Sequence, residues 1–172
     1  MLMLNEKSCI DCDEFEFNKH NGEIDMRRKI FLVLSILWMC VIFYMSNQPA
    51  TISSNHSGNV INIISSIPFI GSLMNYLTSI NIGEFIVRKG AHMFSYCLLS
   101  ILLFMSVYEN NIKKAIIISF IGTFLYACTD EFHQLFIPGR SGEFRDIMID
   151  SIGGIIGIIS CGFIAKYRGK RN

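Results

Sequence analysis

Long apolar blocks separated by short polar segments dominate the pattern along the chain. The blocks run from Ile30 to Met45, from about Ala91 to Val107, from Ala115 to about Thr129 and from Ile147 to Ala165. Each is close to the roughly 20 residues that a helix needs to cross the hydrocarbon core of a bilayer. The pattern therefore predicts an all-α, polytopic membrane protein built as a four-helix transmembrane bundle.

The first block directly follows a basic run, Arg27-Arg28-Lys29, as the apolar part of a signal peptide would. However, the segment Met45-Ser46-Asn47-Gln48-Pro49 offers no small-x-small cleavage site, and the 26 residues before the basic run are acidic and long for a leader. The block is therefore predicted to be an uncleaved anchor. Residues 1–26 are predicted to be a disordered, acidic cytoplasmic tail, 27–166 the membrane domain and 167–172 a basic cytoplasmic tail.

Residues 59–82 mix isoleucines at near-helical spacing with serines and asparagines, and Pro68 and Gly71 break the pattern at its centre. A span here would move the following basic segments to the outside, against the positive-inside rule. Two short amphipathic helices on the outer surface, between the first and second spans, are the better prediction. Such a cap would cover a site below it or serve as an interfacial anchor.

Basic residues beside the spans predict the orientation. Nine of them fall on one side of the predicted bundle: Arg27, Arg28, Lys29, Lys113, Lys114, Lys166, Arg168, Lys170 and Arg171. By the positive-inside rule that side is cytoplasmic, so both termini are predicted to be cytoplasmic in a multi-pass cell-membrane protein. The opposite side carries only Arg88, Lys89, Arg140 and Arg145, each close to other ionisable residues.

Composition excludes some functions. The chain is 51% hydrophobic with a mean hydropathy of +0.42, and its net charge is only +1. No basic stripe interleaved with aromatic residues is present, so nucleic-acid binding is not expected. Four of the six cysteines lie inside apolar runs and are interpreted as packing residues. The remaining pair, Cys9 and Cys12, stands in the acidic tail, where a metal knuckle is the less favoured alternative.

Ionisable residues gather at the outer ends of the second, third and fourth spans. Lys89, His92 and Tyr96 are spaced i, i+3, i+7 and so share one helical face. The third span ends with two adjacent carboxylates and an amide, a short loop contributes a guanidinium, and the fourth span begins with two acids one turn apart. These residues are Asp130, Glu131, Gln134, Arg140, Asp146 and Asp150. Because charge is expensive to desolvate, their convergence at one depth predicts a ligand-binding site.

Small residues follow on the fourth span. Gly153 and Gly157 are four residues apart, a spacing that lets transmembrane backbones approach closely. This face is interpreted as structural, and a homo-oligomer joined through the two glycines is one expectation from it.

These segments resemble the VanZ family. The resemblance rests on Arg88-Lys89-Gly90-Ala91-His92 with Tyr96, on Asp130-Glu131 with the later Gln134, Pro138, Gly139 and Arg140, and on Asp146 with Gly153, Gly154 and Gly157. It covers about residues 30–165 and includes the Ser46-Asn47-Gln48-Pro49 turn. The resemblance implies a bacterial envelope membrane protein, with low-level resistance to the glycopeptide teicoplanin as one role. It implies no settled reaction.

Three functions are compatible with the sequence. The favoured hypothesis is a non-enzymatic protein that binds an anionic lipid head group or a lipid-linked cell-wall intermediate; Lys89, His92 and Arg140 would contact the ligand while Asp130, Glu131 and Asp146 orient these bases. No cofactor is expected in that case. The second hypothesis is a membrane-embedded hydrolase or transferase with Asp130 or Glu131 as general base, and with an optional divalent cation held by Asp130, His133 and Asp146. The third is a small multimeric transporter.

Overall fold

The protein is described by a computed structural model, which covers the backbone of residues 4–109 and 111–168 and the side chains of residues 22–109 and 111–167. Six helices follow one another over these residues: α1 (Leu4–Ser46), α2 (Ala50–Ser65), α3 (Ile70–Ser79), α4 (Gly83–Val107), α5 (Ile112–Gln134) and α6 (Phe144–Arg168). Four of them are long and apolar enough to cross a membrane, over Gly22–Ser46, Gly83–Val107, Ile112–Gln134 and Phe144–Tyr167. The predicted all-α, four-helix membrane fold is confirmed.

The helices extend beyond the apolar blocks that predicted them. The second span begins at Gly83 instead of Ala91, and the third continues to Gln134 instead of Thr129. Charged residues end a hydropathy block, but they do not end a helix when their backbone groups can continue the i to i−4 bonding. As a result, the ionisable residues of the predicted site lie on regular helix ends, which fixes their directions.

The two short helices predicted between the first and second spans are present as α2 and α3. The chain turns between them at Phe69, whose φ of 67° is left-handed, and again at Asn81, with a φ of 61°. Gly71 follows the first turn in close contact with α2, since a Cβ there would lie 2.3 Å from the Ser65 carbonyl oxygen. Helix α2 packs on α4, and its first amide, at Ala50, donates to the Pro138 carbonyl in the α5–α6 loop at 3.3 Å.

Helices α4 and α6 form the closest pair in the bundle. A Cβ at Gly153 would lie 2.1 Å from the Met93 carbonyl oxygen, and one at Gly157 would lie 2.2 Å from Ser100 Oγ. The glycines therefore serve a contact within one chain, as expected for a structural face. The predicted homo-oligomer through these two glycines stays a prediction, with both residues already packed on α4.

Helix α1 lies against α4 and α5 through polar contacts within an apolar surface. The Trp38 indole donates to the Ser95 carbonyl at 3.0 Å, and the Tyr126 hydroxyl donates to the Met39 carbonyl at 2.6 Å. Tyr96 and Leu99 are fully buried beside them. Many large apolar side chains point outward instead, such as Phe94 and Phe163, as expected for helices surrounded by lipid.

The two ends of the bundle differ in their charged residues. At one end, Arg28 of α1 pairs with Glu109 and donates through Nε to the Ser106 carbonyl at 3.1 Å, which joins α1 to the end of α4. At the other end lie the C-terminus of α1, the cap helices and the predicted site. The predictions on Cys9, Cys12 and residues 168–172 lie outside the residues whose side chains are described. Residues 4–26 of the predicted acidic tail form the first part of α1, with side chains described from Gly22 onward. The predicted division of the chain into two tails and a membrane domain stays a prediction.

Candidate functional site

The nine predicted site residues all lie at one end of the bundle. The beginning of α4, the last turns of α5, the α5–α6 loop and the beginning of α6 contribute them, and α4 packs on both α5 and α6. Five of these side chains are buried or nearly so although they are charged or polar: Asp130, Glu131, Gln134, Asp146 and Asp150. Such burial is exceptional for carboxylates and requires partners or a ligand.

One ion pair joins α4 to α6. Lys89 Nζ contacts Asp146 Oδ2, with the two side chains 19% and 10% exposed. Asp146 also stands in the first turn of α6, where a carboxylate complements the helix dipole. The other oxygen, Oδ1, is buried and has no hydrogen-bond partner among the described residues. The pair therefore positions the Lys89 ammonium at the mouth of the bundle without using all of its donors.

Gln134 links the two carboxylates of α5 to the loop. Its Nε2 donates to Asp130 Oδ2 at 3.3 Å and to Glu131 Oε1 at 3.1 Å, while its Oε1 accepts from Arg140 Nη1 at 3.3 Å. Glu131 also accepts from the Glu143 backbone amide at 3.1 Å. This network holds the α5–α6 loop over the end of α5.

Arg140 ties the same loop to α1. Its Nε donates to the Gln48 carbonyl at 2.8 Å and its Nη2 to the Met45 carbonyl at 3.3 Å, both at the C-terminal end of α1. Burial lowers the pKa of the Arg140 guanidinium from its ordinary value and nearby Arg88 lowers it further, whereas Asp130 and Glu131 oppose the change. Three of the five N–H groups of a guanidinium are used here, so two remain for a ligand.

A second cluster lies one turn deeper, where His92 of α4 faces Asp130 of α5 and Asp150 of α6. One ligand atom from each of the three lies within 4.8 Å of the others. His92 Nδ1 and Asp150 Oδ1 are 3.8 Å apart, too far for a hydrogen bond. Asp130 Oδ1 and Asp150 Oδ2 are buried without partners, as is the hydroxyl of fully buried Tyr96.

The structure does not bring His133 together with Asp130 and Asp146, the other members of the alternative metal set. The His133 ring packs on Phe43 of α1 with the ring centroids 4.7 Å apart, and its Nε2 lies 3.1 Å from Asn47 Oδ1. Asp146 is meanwhile engaged by Lys89. Among the described residues, the histidine that approaches two carboxylates is His92.

Two cavities open beside these residues. A polar cavity of about 150 Å³ is lined by Lys89 of α4, Asp146 of α6 and residues of the α5–α6 loop such as Glu143. A mainly apolar cavity of about 210 Å³ lies between α1, α2 and α4 and is lined by residues such as Ile42 and Val87. Both cavities are lined by Arg88, His92 and Arg140, so these side chains stand at the boundary between a polar and an apolar space.

Sequence reasoning missed Arg88 as a site residue. Arg88 is four residues before His92 and eight before Tyr96, so it also lies near their helical face, yet only Lys89 was predicted there. Arg88 nevertheless lines both cavities, and its Nε is buried without a hydrogen-bond partner among the described residues. The available signal was the Arg88-Lys89 pair itself, since a long guanidinium side chain at a helix end can bend back toward a polar site.

A hydrolase or transferase would need a nucleophile, and three hydroxyl groups near the site are those of Ser95, Thr129 and Ser141. None of them is hydrogen-bonded to His92, Asp130 or Glu131 within the described residues. Thr129 Oγ1 donates to the Tyr126 carbonyl at 2.8 Å, and Ser141 Oγ donates to Glu143 at 3.1 Å. Ser95 contributes its carbonyl to Trp38 and lines the apolar cavity. Of the three hydroxyl groups, the one that contacts a carboxylate in the described part of the chain is therefore that of Ser141.

The family model described as VanZ/LLP1 matches residues 31–165, which is most of the chain. The protein belongs to the VanZ/LLP1 family. The match includes every site residue and both cavities, and it leaves the acidic tail outside. Membership makes the chain a multi-pass membrane protein of a family linked, at family level, to glycopeptide resistance. Searches of curated proteins and of solved structures find no match.

Proposed function

We propose that this VanZ/LLP1-family protein binds an anionic lipid, with the phosphate of its head group in the polar cavity and part of its apolar chain in the adjoining cavity. The lipid is a phospholipid or a lipid-linked cell-wall intermediate, which share this chemistry. The observation that carries the proposal is the boundary at Arg88, His92 and Arg140, where the polar and apolar cavities meet. An amphiphile has the same two parts in the same order.

The charges around the polar cavity favour an anion. Four bases line it, Arg88, Lys89, Arg140 and Arg145, against two acids, Glu143 and Asp146. Arginine is suited to phosphate because its N–H groups form paired, charge-assisted hydrogen bonds. Of these bases, Lys89 and Arg145 already contact an acid, and Arg140 is held by backbone carbonyls and Gln134. Arg88 has no ion pair among the described residues, so it is the base most available to a ligand.

The cap helices support an apolar chain in the second cavity. Ser53, His56 and Val60 of α2 line one side of it, and Val41 and Ile42 of α1 line another. The cavity therefore lies under α2 and against the outer surface of the bundle, where a lipid chain can enter sideways from the bilayer.

The proposed orientation follows the basic residues. Arg27, Lys113 and Lys114 lie at the end of the bundle opposite the site, and by the positive-inside rule that end faces the cytoplasm. Both termini are then cytoplasmic and the pocket is at the outer head-group region. Cell-wall intermediates are exposed there, so a contribution of this chain to glycopeptide resistance would follow from binding one of them.

A photo-crosslinking experiment tests the proposal. Purified full-length protein in nanodiscs is illuminated with photoactivatable phosphatidic acid or with the phosphatidylcholine analogue of the same chains. We expect labelling by the anionic probe to exceed labelling by the neutral one. Arg88→Gln should reduce it about tenfold, since a hydrogen bond to a charged group contributes about 1.5 to 3 kcal/mol. Competition by unlabelled phosphatidic acid and by a polyprenyl phosphate distinguishes the two lipid classes.

The matched control is Lys114→Gln, which removes one exposed base at the other end of the bundle. It should label like the wild type. Equal labelling by both probes, or an unchanged signal in Arg88→Gln and in a variant that also carries Arg140→Gln, contradicts the proposed site.

A further inference from the structure

We infer that His92, Asp130 and Asp150 form a binding site for one divalent first-row transition metal ion, Zn²⁺ or Mn²⁺. The site lies deeper than the proposed phosphate position and is formed by three different helices, α4, α5 and α6. It goes beyond lipid binding and does not depend on it. It also differs from the set with His133 that the sequence suggested.

The geometry of the three side chains is suited to a single ion. Their ligand atoms lie within 4.8 Å of one another, with His92 Nδ1 and Asp150 Oδ1 at 3.8 Å. Two ligand atoms of a tetrahedral zinc ion are separated by about 3.3 to 3.6 Å, which is about 1.6 times the usual bond length of about 2.0 to 2.2 Å. A shift of a few tenths of an ångström would bring the His92 and Asp150 atoms to this distance, and the other pairs need to approach by no more than about 1.5 Å.

Charge balance gives the physical reason for a cation. Asp130 and Asp150 are 3% and 1% exposed, yet neither forms an ion pair with lysine or arginine in the described part of the chain. The closest candidate bases are engaged elsewhere, Lys89 with Asp146 and Arg140 with Gln134 and backbone carbonyls. Two buried carboxylates that face each other repel strongly, and one divalent ion neutralises both.

The remaining hydrogen bonds favour the same conclusion. Asp130 Oδ1 and Asp150 Oδ2 are buried without a partner among the described residues, so each carboxylate has an oxygen available for coordination. Asp130 Oδ2 accepts from Gln134 Nε2, an outer contact of the type that orients metal-binding carboxylates. A set of one imidazole and two carboxylates is typical of zinc and manganese sites. Calcium and magnesium prefer sets made of oxygen ligands alone.

An entry route also exists. His92 lines both the polar and the apolar cavity, so one side of the three-residue cluster faces open space. Three protein ligands leave at least one coordination position of a zinc or manganese ion free. A water molecule or an anionic group in the polar cavity would take that position.

Metal analysis of the full-length protein tests the site. Protein purified in mild detergent is stripped with a chelator, equilibrated with Zn²⁺ or Mn²⁺ alone and measured by inductively coupled plasma mass spectrometry. The expected result is about one ion per chain for the wild type and at least a tenfold weaker affinity for Asp150→Asn and for His92→Gln. Bound metal should also raise the Tm of the wild type but not that of the two variants.

His133→Gln is the matched control, because it removes a histidine that lies at the same end of the bundle but outside the cluster. It should bind metal like the wild type. If Asp150→Asn fails to fold, His92→Gln decides, since the His92 side chain is partly exposed and its loss leaves both carboxylates in place. The inference is overturned if the wild type holds less than about a tenth of an ion per chain. It is overturned equally if His92→Gln matches the wild type, or if His133→Gln loses as much metal as His92→Gln.

Discussion

The contact between Lys89 and Asp146 gives the sharpest stability prediction, because it joins α4 to α6 in surroundings that exclude most water. The side chains are 19% and 10% exposed, and Asp146 Oδ1 has no other partner. Removing one member of such a pair leaves an uncompensated charge and costs about 3 to 5 kcal/mol, whereas replacing both with apolar residues is often neutral. We therefore expect Lys89→Met and Asp146→Leu to destabilise the protein separately and to compensate each other when combined.

The magnitude follows from the exposure of the pair. Because some water reaches the lysine, we place each single substitution near the lower limit, about 3 kcal/mol. A double variant close to wild-type stability then corresponds to a coupling free energy of about 5 to 6 kcal/mol. The assay is reversible unfolding in mixed micelles, applied to the wild type, both single variants and the double variant. The double variant should approach wild-type stability and still lose the anionic-lipid labelling, since Lys89 lines the polar cavity.

A matched cycle on an exposed pair provides the control. Lys29 and Asp25 of α1 form an i, i+4 pair with side chains 73% and 56% exposed, for which little coupling is expected. A coupling free energy below about 0.5 kcal/mol for Lys89 and Asp146 would refute the reasoning, because values of that size are typical of independent sites.

The remaining predictions concern packing and orientation. Gly153→Ala should lower stability by about 1 to 3 kcal/mol, since its Cβ would lie 2.1 Å from the Met93 carbonyl oxygen and force α6 away from α4. Gly90→Ala, whose Cβ would have nothing within 4 Å, should not destabilise in the same unfolding assay; equal losses for both would contradict the packing account. In a cysteine-free background, Asn55→Cys on α2 should react with a membrane-impermeant maleimide added to intact cells, and Lys113→Cys should react only after permeabilisation. The reverse pattern would invert the proposed orientation.

The helices could be predicted from the sequence because long apolar blocks have few alternatives to a membrane span. Their ends could not, since hydropathy falls at the first charged residues while the helix continues. This is why α4 begins eight residues before Ala91 and includes Lys89 within the span. The two cap helices could be predicted, because Pro68 and Gly71 interrupt an amphipathic pattern. The hydrogen bond from the first amide of α2 to the Pro138 carbonyl could not be predicted.

The composition of the site was predictable and its pairing was not. Helical spacing placed Lys89, His92 and Tyr96 on one face, and the structure brings that face to the acids of α5 and α6. Which histidine approaches the carboxylates depends on how α5 is rotated about its axis. Close packing of Gly153 and Gly157 against α4 sets the depth of Asp150, and the contact of His133 with Phe43 removes that residue from the cluster. The spacing of residues along one helix predicts neither the rotation of α5 nor the depth of Asp150.

Mass spectrometry of the lipids that co-purify with the protein tests the central claim most directly, because it assumes no particular ligand. The central claim is that Arg88, Lys89 and Arg140 form a pocket for an anionic amphiphile at one end of the bundle. The account predicts that anionic phospholipid or polyprenyl-phosphate species are enriched in the wild type relative to the Arg88→Gln variant, with Lys114→Gln equal to the wild type. Identical lipid profiles for the wild type and Arg88→Gln, with no enrichment of anionic species over the bulk membrane, would contradict it.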